Sequence, residues 1–122
     1  MGPSVRRFDR HSSHDLYKSE KPALVLFIQD IQADSNKLLY EELRNVSRKI
    51  NKYVDVYYGQ VSSEHDLNRY DIEFGFNKGD LPAIFILDRK ENKRYKMREP
   101  ITRDNIREFV IQWKKKLLKP TY

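Results

Sequence analysis

The sequence predicts one α/β domain with a central mixed sheet flanked by helices. Two short apolar runs, 23–28 and 83–87, have the length and the β-branched content of buried strands. Two longer segments, 36–52 and 102–117, repeat apolar residues with the period of an α-helix. The chain has 122 residues, which suits a single compact domain, and turn signals rather than linkers or repeats separate its segments.

The composition excludes several classes of protein. Hydrophobic residues make up 39% of the chain and aromatic residues 12%, which is enough for a packed core and unlike a disordered chain. The absence of cysteine excludes a disulfide scaffold, a thiolate zinc site, a catalytic thiol and dithiol redox chemistry. The longest apolar run, 23–28, is far shorter than the roughly 20 residues of a membrane-spanning helix.

The elements begin with a short N-terminal segment and a buried strand. Residues 1–20 are predicted to add an edge strand over 5–8 and a helical turn over 13–18 to a core formed by residues 21–120. The continuous apolar run 23–28 predicts a central strand that is buried on both faces.

A long helix is predicted after this central strand. Asp34 and Ser35 offer an N-cap, and the helix is expected over about 36–52. Its apolar positions recur at spacings of four, three and four residues and are Leu39, Leu43, Val46 and Ile50. Alternating residues over 53–58 then predict a second strand, joined to the first by a parallel β-α-β crossover.

The second half of the chain is predicted to form a short helix and a hairpin. Ser63 begins a capping-box-like pattern, and the helix it starts ends near Gly75. The apolar run 83–87 predicts a third strand, and the turn 90–92 leads into a hairpin partner over 93–97.

The last predicted element is an amphipathic helix capped by Thr102. Its apolar stripe consists of Ile106, Phe109, Val110, Trp113 and Leu117. The assembled order is β-α-β-α-β-α-β-β-α, with a parallel first half and a hairpin followed by a helix at the end.

Residues with catalytic or metal-binding chemistry are sparse. His11 and His14 lie three residues apart but lack a third ligand nearby, so we interpret them as solvated side chains. Ser62 and Ser63 lie close to His65, yet no nucleophile elbow is present, and helix capping explains these serines more simply. The four glycines are scattered and form no phosphate-binding loop. We expect this chain to have no enzymatic activity, no metal and no cofactor.

Basic residues are concentrated near the ends of the two long helices. The net charge of +6 suits an acidic partner and equally suits solubility alone. The run 113–116, with Arg44, Arg48, Lys49 and Lys52, has the charge needed to bind phosphates. Lysines also stabilise the negative C-terminal end of a helix dipole, and we favour that structural role. The sequence therefore predicts neither nucleic acid nor a membrane as a partner.

Two segments of the chain resemble the thioredoxin fold. Residues 24–28 resemble the strand that leads to the redox motif, and residues 74–87 resemble the stretch that ends in a proline and an apolar strand. In that family the proline is cis, which the resemblance implies for Pro82. The Cys-x-x-Cys motif of the family falls on residues 32–35, where the sequence reads Gln-Ala-Asp-Ser, so both thiols are absent.

The C-terminal half is similar to the redox-inactive b′ domain of protein disulfide isomerases. Residues 94–109 match its lysine-tyrosine strand, acidic turn and Arg-Glu-Phe helix, and residues 115–120 match its lysine-leucine-lysine-proline ending. Residues 5–8 and 15–17 fall where that domain has its first strand and first short helix. The resemblance implies a non-catalytic domain in the lumen of the endoplasmic reticulum. The N-terminal residues lack the apolar stretch of a secretory signal, which predicts an intracellular chain or a piece of a longer protein.

The resemblance implies capture of unfolded client polypeptide as the main function. The b′ domain binds such clients in an apolar cleft, and the matching positions here are Phe8, Tyr17 and Phe74. Aromatic side chains suit this task because they offer a large contact area and lose little rotamer entropy. Core packing of Phe8 and Phe74 is the alternative interpretation of the same residues.

A second function implied by the resemblance is docking to a lectin chaperone. In isomerases that serve glycoproteins, basic residues of b′ bind the acidic tip of calnexin or calreticulin. The matching positions here are Arg94, Arg103 and His14. Two arginines can make directional contacts with carboxylates, whereas a histidine is mostly uncharged at neutral pH.

Overall fold

The computed structural model describes residues 5–8, 21–30, 32–61, 78–88 and 90–120. These residues form five strands, two α-helices and a short 3₁₀ turn over Lys78–Asp80. The strands are β1 (Arg6–Phe8), β2 (Ala23–Ile28), β3 (Asp55–Gln60), β4 (Ala83–Asp88) and β5 (Lys93–Lys96), and the helices are α1 (Asp34–Ile50) and α2 (Arg103–Lys114). The predicted helical segments 13–18 and 63–75 lie outside the described residues.

The strands form one mixed sheet in the order β1-β3-β2-β4-β5. β1 and β2 both run parallel to β3, whereas β4 is antiparallel to β2 and β5 is antiparallel to β4. The helix α1 connects the parallel strands β2 and β3, as a parallel pair requires a crossover. The predicted mixed sheet, the central position of β2, the edge strand near residue 6 and the C-terminal hairpin are therefore confirmed.

One face of the sheet, which we call the helix face, is covered by both helices. Apolar side chains from alternate strand positions meet the buried side of α1 and α2 in a single cluster. Tyr40 of α1 packs edge-on against Tyr58 of β3, with ring centroids 5.1 Å apart. The main members of the cluster are Leu24, Leu26, Ile28, Ile84, Ile86, Leu43, Val46, Ile50, Ile106, Phe109 and Val110.

The opposite face of the sheet, which we call the aromatic face, is built around four rings. Phe27 of the central strand lies edge-on to Phe8 and to Phe85, with 6.1 Å between the ring centroids in each pair. Tyr57 completes the set and is buried. Gly59 pairs with both Phe8 and Phe27 across neighbouring strands, and a Cβ at this position would lie 3.0 Å from the Phe27 ring. The absence of a side chain at Gly59 thus leaves the space that the two rings occupy.

The start of α1 differs from the prediction. The helix begins at Asp34, its N-cap is Ala33, and no side chain caps it, so the predicted cap at Asp34 and Ser35 is wrong. Asp30 organises the preceding loop instead: its carboxylate accepts the Gln32 N–H at 2.9 Å, and its carbonyl oxygen accepts the Asn36 side chain at 2.8 Å. Asp30 therefore fixes the loop before the helix, and it does so in place of an N-cap side chain.

The second strand begins later than predicted. Residues 51–54 form a turn in which the N–H groups of Tyr53 and Val54 both donate to the Ile50 carbonyl oxygen. Lys21 donates to the carbonyl oxygen of Asn51 and forms an ion pair with Asp55 at 3.7 Å. The strand therefore occupies Asp55–Gln60 rather than 53–58, because the helix end and its turn take up the first residues of the alternating pattern.

The last helix begins as predicted and ends differently. The Thr102 hydroxyl accepts the Asn105 N–H at 3.1 Å, which confirms the N-cap. Leu117 is 68% exposed and lies beyond the helix, so its place in the apolar stripe is wrong, and Leu118 packs on the core instead. The N–H of Leu117 donates to Gln112 and that of Lys116 to Trp113, which is a Schellman termination.

Candidate binding site

The position of the missing dithiol lies at the end of the central strand, beside a cis-proline. The Leu81–Pro82 peptide bond is cis, as the resemblance implies. Ala83 pairs with Phe27, which places Pro82 at the edge of the sheet where the chain leaves β2 for α1. Gln32 and Ser35 are both exposed at this edge. The backbone of a thioredoxin-type site is thus present, and the chain has no cysteine to supply thiol chemistry.

Polar contacts hold the two loops at this edge. Asp30 fixes the loop before α1 through the hydrogen bonds described above. Asp80 forms an ion pair with Lys96 at 3.5 Å and so connects the turn before Pro82 to β5. Leu81 packs against the aromatic face. These contacts fix the backbone around the cis-proline and leave Pro82 itself exposed.

The structure describes Phe8 alone among the predicted client-binding residues. Its ring is 2% exposed and lies edge-on to Phe27 and Tyr57, with centroid distances of 6.1 and 6.4 Å. Phe8 therefore offers almost no surface to a client in this arrangement and contributes to the packing of the aromatic face. Tyr17 and Phe74 lie outside the described residues.

Arg103, a predicted docking residue, is bound to a carboxylate of its own chain. Glu42 Oε2 accepts the Arg103 backbone N–H at 2.7 Å and its Nε–H at 3.2 Å, and Glu42 Oε1 accepts from Nη2 at 3.5 Å. The side-chain hydrogen bond to Arg103 lowers the pKa of Glu42, and the same bond raises the pKa of Arg103. Glu42 also satisfies one of the free N–H groups at the start of α2.

The structure does not bring the predicted docking residues together. Arg94 pairs with Leu87, a member of the aromatic face, so it lies on that side of the sheet. Arg103 lies in the helix layer on the other side, where it contacts α1. His14, the third docking position, lies outside the described residues, as do the other two histidines.

A shallow groove runs along the outer surface of α1. It has a volume of about 340 Å³ and is lined by Glu41, Arg44, Asn45 and Arg48. Arg44 and Glu41 form an ion pair across it at 3.5 Å. The polar lining does not suit an apolar client.

The fold brings the basic residues near the C-terminal ends of α1 and α2 together on one surface. The sequence alone predicted only a structural role for them, the stabilisation of the helix ends. The C-terminal ends of α1 and α2 meet at Tyr53, where the Lys114 ammonium lies 3.7 Å from the ring centroid. The signal available in the sequence was the local excess of lysine near both helix ends. Only the packing of the helices shows that the two clusters adjoin.

In the part of the chain that the structure describes, no helix is long and apolar enough to cross a membrane.

Comparison with known protein families gives one match. A family model described as a thioredoxin-like domain matches residues 1–112. A search of curated proteins finds no match for the sequence.

Several solved structures are similar in fold. The bb fragment of ERp72 superposes with a TM-score of 0.74 at 22% identity, and the match covers 98% of this chain and 52% of that one. Human ERp44 in a zinc-bound form gives 0.72 at 16% identity, covering 96% and 32% respectively. A chloroplastic thioredoxin z gives 0.68 at 18% identity, covering 94% and 98%. This chain thus spans about half the length of the ERp72 fragment and about a third of ERp44.

Proposed function

Because this chain belongs to the family of thioredoxin-like domains, we propose that it is a redox-inactive, b′-type binding module of a protein disulfide isomerase. Its task is to capture unfolded or partly folded client polypeptide during oxidative folding in the lumen of the endoplasmic reticulum. It carries out no redox chemistry itself, and the thiol exchange belongs to other domains of a parent protein.

One observation carries this proposal. The edge of the sheet keeps the cis-proline and the loop of a thioredoxin-type site, but Gln32 and Ser35 stand where the dithiol would be. Thiol–disulfide exchange requires a thiolate to attack a disulfide sulfur, and neither an amide nor a hydroxyl replaces it. A site with this backbone and without thiols is suited to holding a polypeptide and not to oxidising or reducing it.

The similar structures support the assignment to this class. The bb fragment of ERp72 matches this chain over about half of its own length. Human ERp44 matches over about a third of its length. Their resemblance to this chain in fold supports the lumen of the endoplasmic reticulum as its compartment.

The proposal assigns the client-binding cleft to Phe8, Tyr17 and Phe74. The burial of Phe8 gives it a supporting role, because a ring that is 2% exposed packs against Phe27 and Tyr57 and offers little surface to a client. Aromatic side chains bind varied apolar segments since they demand little of the client sequence.

Docking to the acidic tip of calnexin or calreticulin is the less favoured alternative. Arg94 and Arg103 lie on opposite sides of the sheet, and the Arg103 guanidinium is engaged by Glu42. An acidic tip would have to displace Glu42 from Arg103 and bridge the edge of the sheet to reach Arg94.

A binding assay with an unfolded, apolar, fluorescently labelled peptide tests the proposal. We expect Tyr17→Ala and Phe74→Ala each to weaken binding about tenfold, which corresponds to about 1.4 kcal/mol. Leu117→Ala is the matched control, because Leu117 is 68% exposed at the C-terminal end of α2 and is not among the residues assigned to the cleft. Combined replacement of Arg94 and Arg103 by alanine is expected to change binding little, and 0.5 M salt likewise.

The opposite pattern would overturn client capture. If the arginine replacements and salt abolish binding while Tyr17→Ala has no effect, docking of an acidic partner takes its place. An insulin-reduction assay on the same preparation should show no turnover above buffer, since the chain has no cysteine.

A further inference from the structure

The C-terminal ends of the two helices form a basic surface, which we call the basic pole. It consists of Arg48, Lys49 and Lys52 at the end of α1 and Lys114, Lys115, Lys116 and Lys119 at the end of α2. Two contacts show that the helices run parallel, because Glu42 meets Arg103 and Tyr53 meets Lys114, each 61 residues apart in sequence. Both C-terminal ends therefore lie at the same end of the helix layer.

The pole holds all of the excess positive charge of the chain. It contains seven of the 24 basic side chains, and the remaining 17 face 18 acidic ones, so the rest of the chain is close to neutral. Within the described residues, no ion pair joins any of the seven to a carboxylate. The nearest acidic residues in sequence are engaged elsewhere: Asp55 pairs with Lys21 at 3.7 Å, and Glu108 accepts the Gln112 side chain at 3.3 Å.

Stabilisation of the helix ends does not account for this much charge. Each helix C-terminus carries the equivalent of roughly half a negative charge, so two adjoining ends offset about one lysine. Seven like charges at one end of a domain repel each other and lower the stability of the compact state. About six of the seven positive charges therefore exceed what the two helix ends can offset.

The left-handed backbone conformation of Lys116 independently indicates a functional role for this surface. Its φ is 61°, in the left-handed region, at the position of a Schellman termination where glycine is usual. A residue with a side chain is disfavoured in this conformation, so the turn would be more stable with glycine. A lysine at this position keeps a cation on the pole at the expense of local stability, which is a feature of functional surfaces.

The chemistry of the pole distinguishes between acidic partners. Leu117 follows Lys116 and is 68% exposed among the lysines. The Lys114 ammonium covers the Tyr53 ring, and Trp113 packs on the helix-face cluster, so neither ring is presented for stacking with nucleic-acid bases. The neighbouring Lys52 and Lys114 ammonium groups also lower the pKa of the Tyr53 hydroxyl.

We propose that the basic pole is a docking surface for an acidic polypeptide segment, rich in Asp and Glu, that carries an apolar side chain to cover Leu117. The basic pole shares no residue with the proposed client-binding cleft, and Arg103 lies at the opposite end of the helix layer. The lysines attract and orient the segment, and the apolar contact with Leu117 favours a polypeptide over a plain polyanion.

A pair of charge-matched variants tests the surface. Lys49→Glu, Lys115→Glu and Lys119→Glu are combined in one variant, and Lys37→Glu, Lys90→Glu and Arg98→Glu in the control; all six residues are exposed. Both variants lower the formal net charge from +6 to zero. The probe is a short labelled Glu/Asp peptide that contains leucine, titrated into the 122-residue chain. We expect the pole variant to bind about tenfold or more weakly and the control to remain within about threefold of the parent.

Further arms identify the partner class. Leu117→Ala is expected to weaken binding of the leucine-containing peptide and to leave unchanged the binding of a peptide in which glycine replaces leucine. Lys116→Gly should weaken binding while raising the melting temperature, a combination that a purely structural lysine cannot produce. If the glutamate variant unfolds, a variant in which glutamine replaces the same three lysines provides the test in its place.

Three results would overturn the proposal. Equal weakening by the pole and control variants means that net charge alone governs binding. No measurable binding of the acidic peptide by the parent chain at low salt removes the docking surface. Tighter binding of a single-stranded oligonucleotide of equal charge, with no effect of Leu117→Ala, assigns the pole to nucleic acid instead. None of these outcomes bears on the capture of unfolded client, which the apolar peptide measures separately.

Discussion

The two faces of the sheet are packed in different ways. The helix face is aliphatic and is covered by α1 and α2, whose amphipathic stripes supply most of the opposing side chains. The aromatic face is built from edge-on rings around Phe27, with Gly59 leaving the room that they need. The helix face could be anticipated from periodicity. The aromatic face could not, because the same rings suit a binding cleft or a core, and only burial distinguishes these roles.

We expect the largest loss of stability on the aromatic face when Phe8 is truncated. If the aromatic face is a core, Phe8→Ala should lower the free energy of unfolding by about 3–5 kcal/mol. Leu26→Ala is the control on the helix face, with an expected loss of about 2–5 kcal/mol, both measured by chemical denaturation. A Phe8→Ala variant that keeps its stability and loses client binding would show that this ring belongs to an open cleft.

The next effect concerns the space at Gly59. A Cβ there would meet the Phe27 ring at 3.0 Å, and that ring is buried between Phe8 and Phe85. We expect Gly59→Ala to destabilise the domain, because overpacking costs about 1–3 kcal/mol and exceeds the gain of about 0.5–1 kcal/mol from replacing glycine.

The smaller aliphatic side chain of a Phe27→Leu background separates these contributions. In that background the cost of Gly59→Ala should decrease, as a double-mutant cycle would measure. An unchanged cost would mean that Phe27 does not limit the space at Gly59, and the account of the aromatic face would need revision.

A smaller effect is expected at the contact between the helices. Glu42→Ala removes a carboxylate that accepts the first N–H of α2, and loss of such a cap costs about 1 kcal/mol. Glu42→Gln keeps an oxygen acceptor and should cost less, since it removes only the charge. Thermal unfolding of the two variants separates the capping contribution from the charge.

The same contact predicts a dependence of stability on pH. The hydrogen bond from the Arg103 side chain lowers the pKa of Glu42 below its ordinary value of 4.5. A carboxyl group whose pKa is lower in the folded than in the unfolded state stabilises the protein at pH values above its unfolded-state pKa. That contribution is lost as the pH falls through the folded-state pKa. Stability should therefore decline below about pH 4.5 less steeply in Glu42→Gln than in the parent, and equal slopes would contradict the role of this pair.

The smallest expected effect is a gain in stability at the end of α2. Lys116→Gly should raise the free energy of unfolding by about 0.5–1 kcal/mol, because the left-handed backbone costs about 1–2 kcal/mol and glycine adds entropy to the unfolded chain. Asn92→Gly is the control, since Asn92 has a similar φ of 54° but asparagine tolerates this region. A loss of stability in Lys116→Gly would mean that its side chain holds the helix end.

The sequence by itself determined the elements that depend on local pattern. Continuous apolar runs marked β2 and β4, because strands buried on both faces need no alternation. Apolar spacing of three and four marked the inner sides of α1 and α2, and Thr102 marked the start of α2 by its hydroxyl. The resemblance to thioredoxins added the cis-proline and the position of the missing dithiol.

Only the tertiary structure decided the features that join distant parts of the chain. Glu42 and Arg103 are 61 residues apart, and no local pattern indicates that one caps and neutralises the other. The separation of Arg94 from Arg103 depends on which side of the sheet each occupies, and the union of two lysine clusters depends on parallel packing of the helices. Burial, charge pairing and surface potential are set by contacts between elements, whereas sequence periodicity reports only how each element is built.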